Sequence, residues 1–369
     1  MRELLLREQW TKAGAVLVER HGVQVVSHVS GLRAEHVAVR DAVGITDFSF
    51  MQKYRVPLEK GDDLLDGALA GNVAKIRFGR MLHTFMPDNS GHVVGDCYVA
   101  NNDEELILLC EGIATDGDIR ERLQPAGASD GILEDLTESH VLLGIDGFKA
   151  WAVVKELFGA DVLGLAYLSV EVFPFEGESV YLFRAGKTSE FGYLLMAPAG
   201  VAAKLSDALT GIAARHGGVL CGVDAHNALR LEGRFFNIHA EGASVRDPLV
   251  LGLQWMIDFE KDRFHGAEAI KQRRAAGLKQ KIVGVAAAPG QECLGVGAKV
   301  FHGQGGIGEV VAAAFSPSLN RQIGLAVLPI GLAFAGLRFT VGAAGGSPVE
   351  TISMPPIFPK SLQVKLDEM

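Results

Sequence analysis

The order of apolar patterns along this chain of 369 residues predicts an α+β fold that ends in a small β-barrel. Strand-helix-strand-strand-helix order occurs twice before about residue 275, which suggests two related α+β units packed together as split β-α-β arrangements. Beyond residue 280 short apolar strands follow one another at even spacing with glycine turns, the pattern of a barrel. The chain is also too long for one compact core of typical size. The expected units are therefore residues 1–140, 141–275 and 280–369.

In the first unit, Leu32 to Val43 places apolar side chains at helical spacing with Glu35 and Arg40 outward and Gly44 as the C-cap. Ile45 to Met51 alternates like a strand, and Met51 reads as core. Lys53 to Val56 is a short strand and Gly61 to Leu69 a helix. Asp88, Asn89 and Gly91 supply the turn of a hairpin whose second strand, from His92 to Val99, carries Asp96. His83 and His92 flank that turn. A strand from Leu106 to Cys110 leads into a helix reaching Leu123, and Gly127-Ala128-Ser129 is a turn.

The second unit repeats the order. Leu142 to Ile145, Val170 to Phe173 and Val180 to Phe183 are strands, and Gly147 to Phe158 and Val201 to His216 are helices. Val180 to Leu195 reads as two strands joined by a connection of about five or six residues. Glu190 sits where the second strand begins, beside Phe191 and Tyr193. A carboxylate there is costly to bury alone, so it either points to water or meets a ligand with matched donors. Asp224 caps a short helix. Arg230 and Glu232, two apart in extended chain, point to one face and suit an ion pair. Asp247-Pro248 starts a helix or turn. Trp255 is core or the wall of a cleft. The basic run Lys271-Gln272-Arg273-Arg274, with Lys279 and Lys281, has the character of an exposed linker.

Barrel strands are expected at Ile282–Ala286, Ala298–Phe301, Gly306–Ala313, Gln322–Val327 and Leu337–Val341. Gly303, Gly305 and the glycines from Gly342 to Gly346 are turn residues and form no phosphate loop, because no strand-to-helix context follows.

Composition narrows the function. With 48% hydrophobic and 21% charged residues the chain has ample core, and a formal charge of -9 without a basic stripe argues against a nucleic-acid partner. Cys97, Cys110, Cys221 and Cys293 show no metal or disulfide spacing, so no metal site is expected and buried thiols in a reducing cytosol are the default. The start, Met1 to Glu8, lacks the apolar core of a secretory signal. The apolar run from Ile323 to Leu337 is interrupted by Pro329 and is too short to span a bilayer. A cytoplasmic chain without a membrane partner is expected.

The row Arg184-Ala185-Gly186-Lys187-Thr188-Ser189-Glu190-Phe191-Gly192-Tyr193 resembles the Arg-Thr-Gly-Tyr-Thr-Gly-Glu-Asp-Gly-Tyr signature of the glycine-cleavage T-protein (aminomethyltransferase) family. Similar series run from Glu35 to Met51, through Asp96, from Cys221 to Gly233, from Phe259 to Gly266 and from Gly308 to Ala326, in matching order. The resemblance implies an interlocked folate-binding fold with a C-terminal barrel and tetrahydrofolate as cofactor. It places Glu190 on the pterin ring, Met51 and Arg230 around the folate, and Asp96 at its reacting end; Tyr193 and Trp255 are further folate-binding candidates.

This sequence departs from the family pattern at Phe50 (His), His83 (Tyr), Gly95 (Asp), Cys110-Glu111-Gly112 (Asn-Ala) and His226-Asn227 (Arg-Asp). Several of these motifs lie near the reacting end in T-proteins, so the expected reaction is methyl transfer from a small methylated donor to folate N5, a demethylase. His83 is then either the acid for an oxygen leaving group or a structural strand histidine. The alternatives are an aminomethyltransferase, which alone requires a lipoyl carrier protein, and a folate-binding accessory protein of iron–sulfur enzymes. The last resembles Lys-Gly-Cys-Tyr-x-Gly-Gln-Glu at the same hairpin, and Arg184-Ala185-Gly186 lacks that Cys.

Overall fold

The computed structural model describes residues 2–112, 122–123 and 132–364. A five-stranded antiparallel sheet runs, in spatial order, Met81–Pro87, Val93–Asn101, Glu105–Gly112, Gln52–Pro57 and Glu134–Asp135. A six-stranded sheet runs Val170–Phe175, Glu178–Phe183, Gly192–Pro198, His140–Asp146, Gly44–Asp47 and Val219–Cys221. Its last pair is parallel and the others antiparallel. Gly44–Asp47 comes from the first 140 residues yet pairs with His140–Asp146 and Val219–Cys221, so the two units interlock and the division at residue 140 separates sequence, not sheets.

Strand alternation decides what each sheet face meets. Tyr98, Ile107 and Leu109 face the six-stranded sheet and pack on Leu142, Phe183, Leu194 and Met196. Their neighbours Cys97, Val99, Leu106, Leu108 and Cys110 face the other way, onto Leu64 and Leu65 of the helix Leu58–Ala68. The far face of the six-stranded sheet, with Ile145, Tyr193 and Leu195, is covered by Val153 from the helix Ala150–Phe158 and by Leu205 and Leu209 from the helix Ala199–Arg215. Each such aliphatic side chain, fully buried, contributes on the order of 1.5–3 kcal/mol.

The closed barrel is ordered Gln280–Ala287, Arg321–Pro329, Gly305–Ser316, Lys299–His302, Arg338–Val341 and Ser347–Ile352. Val285, Val300, Val310, Leu328 and Phe339 fill it. Ala312, Ile323 and Leu325 belong to a second cluster with Leu249, Ile257 and Ile270, which seats the barrel on the α+β region. Asp247 caps the short helix Pro248–Leu251 by accepting from the Leu249 N–H at 2.9 Å, with Pro248 where its missing N–H costs nothing.

Several sequence expectations are corrected. The first long helix is Leu32–Asp41, and Gly44 opens a strand instead of capping it. Glu35 and Arg40 are buried, not outward. Glu35 accepts the Val29, Ser30 and Gly31 N–H groups with one oxygen and the Gly222 N–H with the other. The strand expected from Ile45 to Met51 ends at Asp47, whose carboxylate accepts the Ser49 N–H at 2.8 Å and turns the chain. The hairpin connection is longer than expected and runs from Arg184 to Phe191. Gly222, not Asp224, is the N-cap of the helix Val223–Glu232, and Asp224 binds Arg20 and Ser27. Arg230 and Glu232 lie in that helix and diverge. The basic run is the helix Ala267–Ala276, in which Arg273 donates to the Ser90 and Gly91 carbonyls. The barrel has a sixth strand, Ser347–Ile352, beyond the expected five. Most of the helix expected after Cys110, and the turn at Gly127-Ala128-Ser129, lie outside the described residues.

The four cysteines are free. Among the described residues no helix is long and apolar enough to cross a membrane, and no group of three His, Cys, Asp or Glu side chains could hold a metal ion.

Candidate active site

Between the two sheets, where the core of Tyr98, Leu109 and Leu194 runs out, lies a cavity of about 550 Å³. Phe48, Phe50, Met51, Tyr98, Leu194 and Phe236 give it apolar walls. Its size is that of a small-molecule site, and its lining is divided between apolar residues and charged or polar ones such as Glu111, Asp146, Lys187, His226 and Arg230. The hairpin Val16–Arg20 and Val23–His28 contributes Arg20, His21 and Val23, and Arg2 stands beside Phe50, to whose carbonyl it donates.

Five residues of the lining carry a buried polar atom that makes no hydrogen bond in the protein: Tyr98 Oη, Asp146 Oδ2, His226 Nε2, Arg230 Nη2 and His239 Nδ1, of which Asp146 Oδ2 and His226 Nε2 face each other at 3.7 Å. Buried polar groups in folded proteins are nearly always hydrogen-bonded, so five unmatched atoms around one cavity point to a polar ligand there. They include an acceptor, Asp146, and a donor, Arg230. The rest of the Arg230 guanidinium is spoken for by Asn227, the Phe235 carbonyl and both oxygens of Glu241 at 2.7 Å.

A second feature is ionic. Lys187 reaches into the cavity from the long hairpin connection, 2.6 Å from Asp96 Oδ2 and 3.4 Å from Glu111 Oε2. Asp96 and Glu111 are paired across adjacent strands, so the pleat sends both to the same face. His83 Nε2–H donates to the other Asp96 oxygen at 2.7 Å, and its ring stacks on Tyr98. Burial by itself raises the Asp96 carboxyl; the Lys187 ammonium and then His83 outweigh it and hold the group well below the usual carboxylate range. Lys187 is pulled down by burial and pushed above its ordinary value by Asp96 and then Glu111. Both stay charged at neutral pH, and the Asp96 and Glu111 carboxyl groups stand around the one Lys187 ammonium, with His83 on the far side of Asp96.

The hairpin connection needs Gly186 for close approach. A Cβ on Gly186 would stand 2.6 Å from Asp146 Oδ1 and 2.8 Å from Gly192 Cα. Ser189 takes φ 70°, the left-handed region, which a glycine would occupy with less strain.

Of the residues singled out from sequence, Met51 and Arg230 line the cavity. Asp96 and His83 lie one layer behind it, with Lys187 in front. Tyr193 is on the opposite face of its strand, under the Arg184 guanidinium at 4.4 Å, and strand alternation puts Leu194 on the cavity instead. Trp255 is not core and lines a separate surface cleft with Arg80 and Leu82, not this cavity: it is 64% exposed and meets the site by its edge against His83. Glu190 is also outside. Its carboxylate accepts Arg40 Nη1 at 3.1 Å and the backbone N–H groups of Lys360 and Ser361 at 3.2 and 2.9 Å, so protein donors take the places expected for pterin. Sequence reading missed Lys187, Glu111, Asp146, His226 and His239 as a group; the departures from the T-protein pattern at Lys187, Glu111 and His226 were the available signal.

The GCVT N-terminal domain family matches residues 6–261, and the Glycine cleavage T-protein C-terminal barrel domain matches residues 280–358. The chain belongs to the glycine-cleavage T-protein family. It is 30% identical to an aminomethyltransferase of Streptomyces avermitilis over 93% of this chain and 94% of that one. It is 28% identical to an aminomethyltransferase of Synechococcus elongatus, with 94% of each covered. In structure it is similar to the glycine cleavage system aminomethyltransferase T from Bartonella henselae, with a TM-score of 0.86, 23% identity and coverage of 97% and 98%. The T-protein family is folate-dependent, and its aminomethyltransferases use tetrahydrofolate.

Within this T-protein fold Glu190 acts as a clasp between the hairpin connection and the C-terminal segment. Glu190→Gln is expected to cost about 1–3 kcal/mol of stability, because Arg40 loses a charge partner and one tail amide its acceptor. Calorimetry should give the parent's tetrahydrofolate affinity; a large loss of affinity would return Glu190 to the site.

Proposed function

We propose that this T-protein homologue binds tetrahydrofolate in the cavity between its sheets and transfers to it a one-carbon unit from an amine-bearing donor, as an aminomethyltransferase. The observation that carries this is the ring of unpartnered polar atoms around an apolar slot. A pterin presents ring donors and acceptors on a flat apolar body. The Asp146 carboxylate suits its amino and N–H donors, Arg230 Nη2 suits an acceptor, and Phe48, Met51 and Leu194 suit its faces. Arg2, Arg20 and His21 at the cavity edge suit a carboxylate tail.

Bound folate supplies the nitrogen nucleophile. The chain's part is to hold that nucleophile out of water and to favour positive charge on the carbon as it leaves its donor. The Asp96 and Glu111 carboxyl groups around Lys187 do the second, since fixed charges in a desolvated site need no reorganisation.

A second reading, methyl transfer from a small methylated donor, is supported by where the departures fall. Phe50, Cys110, Glu111, Gly112, Lys187 and His226 all line this cavity. The two readings differ in product. The protein would be given tetrahydrofolate with an aminomethyl-loaded lipoyl carrier protein and, separately, with methylamines, sulfonium compounds and methyl ethers. Methylenetetrahydrofolate with released ammonia is expected from the carrier. Methyltetrahydrofolate from a small donor would establish the second reading, and no product from any donor would leave only a binding role.

A further inference from the structure

Two imidazoles at the cavity have an unpartnered nitrogen, and they differ in which nitrogen it is. In His226 it is Nε2, which lies 3.7 Å from Asp146 Oδ2. A nitrogen facing a carboxylate is the one that carries the proton. In His239 the nitrogen facing a carboxylate is Nε2, 3.6 Å from Glu111 Oε1, whereas the unpartnered one is Nδ1 on the other side of the ring. With the proton on Nε2, Nδ1 keeps its lone pair.

The ring is held in place. It stacks on His21 with centroids 4.2 Å apart and planes within 18°. Its backbone is pinned by the Asn237 side chain, which accepts the N–H groups of His239 and Ala240 at 2.8 and 3.1 Å. The titratable groups around it are Glu111, His21, Lys187 and Asp96. Burial lowers the His239 pKa most; Glu111 and Asp96 oppose it, and His21 and Lys187 add to it. The net fall leaves the ring neutral at pH 7, the state a base requires.

We propose that His239 is the proton acceptor of the cavity, its Nδ1 taking the proton that the attacking folate nitrogen sheds, with Glu111 and His21 as positioning residues. As the nitrogen–carbon bond forms, the bond from carbon to the donor breaks and its electron pair leaves with the donor. The N–H bond breaks and its proton passes to Nδ1, then to solvent. The step is the same for a methyl donor and for the first transfer from an aminomethyl donor, after which the second folate nitrogen bonds the same carbon and ammonia leaves with the carbon–amine electron pair and that nitrogen's proton; it rests on the folate reading above.

The test compares His239→Gln, His226→Gln and Glu111→Gln with the parent. Nitrogen-detected NMR of the free, histidine-labelled protein should show His239 as the Nε2–H tautomer at pH 7, with its Nδ1 resonance shifting when tetrahydrofolate is added. The pH profile of kcat/KM should have an acid limb with a midpoint below about 6.5, the ordinary histidine value. His239→Gln should lower kcat about 10²–10⁴-fold and remove that limb, while tetrahydrofolate Kd by calorimetry changes less than about threefold. Glu111→Gln should move the limb to lower pH, because removing the carboxylate makes the imidazole less basic. An Nδ1–H tautomer, a limb that survives in His239→Gln, or one lost in His226→Gln instead would each overturn the proposal. Failure of the parent to bind tetrahydrofolate would overturn the folate reading, and the tautomer in the free protein would still report on His239.

Discussion

Glu232→Gln is expected to cost about 3–5 kcal/mol of folding stability, more than any other single change considered for this protein. Glu232 is fully buried and is the hub of a polar network joining three parts of the fold. It accepts from His36 Nε2 at 2.9 Å, from Arg40 Nη2 at 2.8 Å, and from Ser316 and Ser318 of the barrel region at 2.5 and 3.1 Å. Arg40 in turn reaches Glu190 and the Thr188 carbonyl, so the network also fixes the hairpin connection that carries Lys187. Removing the charge leaves the buried Arg40 with Glu190 as its remaining carboxylate. Urea unfolding would read the loss as a lower midpoint at unchanged slope; a midpoint equal to the parent's would show that the network contributes nothing net.

The same carboxylate makes stability depend on pH. Burial pushes its pKa up, but the hydrogen bond and charge of His36, then Arg40 and Ser316, bring it down to about 2 from an ordinary 4.5. A depressed carboxylate stabilises the fold above its unfolded pKa, so this contribution is complete above about pH 4.5 and is lost as pH falls toward 2. The parent should therefore lose about 3 kcal/mol more across that window than Glu232→Gln does. Parallel acid titrations of the two proteins check this, and equal losses across the window would refute it.

Asp96→Asn is expected to lower kcat about 10²-fold while tetrahydrofolate Kd moves less than about threefold. Asp96 stands behind Lys187 and fixes its ammonium at 2.6 Å; without it Lys187 keeps only Glu111 at 3.4 Å, and the corner loses one negative charge. That charge matters when positive charge develops on the carbon, so the loss belongs to the transition state. Single-turnover rates with calorimetry on the same preparation separate the two quantities. Equal losses in rate and affinity would make Asp96 a binding residue.

How far the site was legible in the sequence depended on the kind of evidence each residue offered. Met51 and Arg230 line the cavity, whereas Tyr193 lies on the wrong side, because a turn of uncertain length leaves strand parity undefined and one residue reverses the face. Leu194, its neighbour, took the place. Glu190 had the right neighbourhood and the wrong partners, since Lys360 and Ser361, which fill its carboxylate, are 170 and 171 residues away in sequence. Glu35 and Arg40, expected outward by helical spacing, are buried because their partners come from distant segments: Gly222 for the first, Glu190 and Glu232 for the second. No local pattern announces such a partner.

The sequence by itself determined what depends on near neighbours and on order: an α+β region followed by a barrel, strands and helices at nearly their observed places, and membership of a folate-using family through motifs in matching succession. Tertiary structure alone decided which charges meet. The interlocking of Gly44–Asp47 into the second sheet and the cross-strand pairing of Asp96 with Glu111 bring Asp146, Glu111 and Lys187 from three separate segments to one cavity. The physical reason is that electrostatic and hydrogen-bond matching acts across a few ångströms of space. Propensity and periodicity act along a few residues of chain, so they specify the elements and leave their partners to the fold.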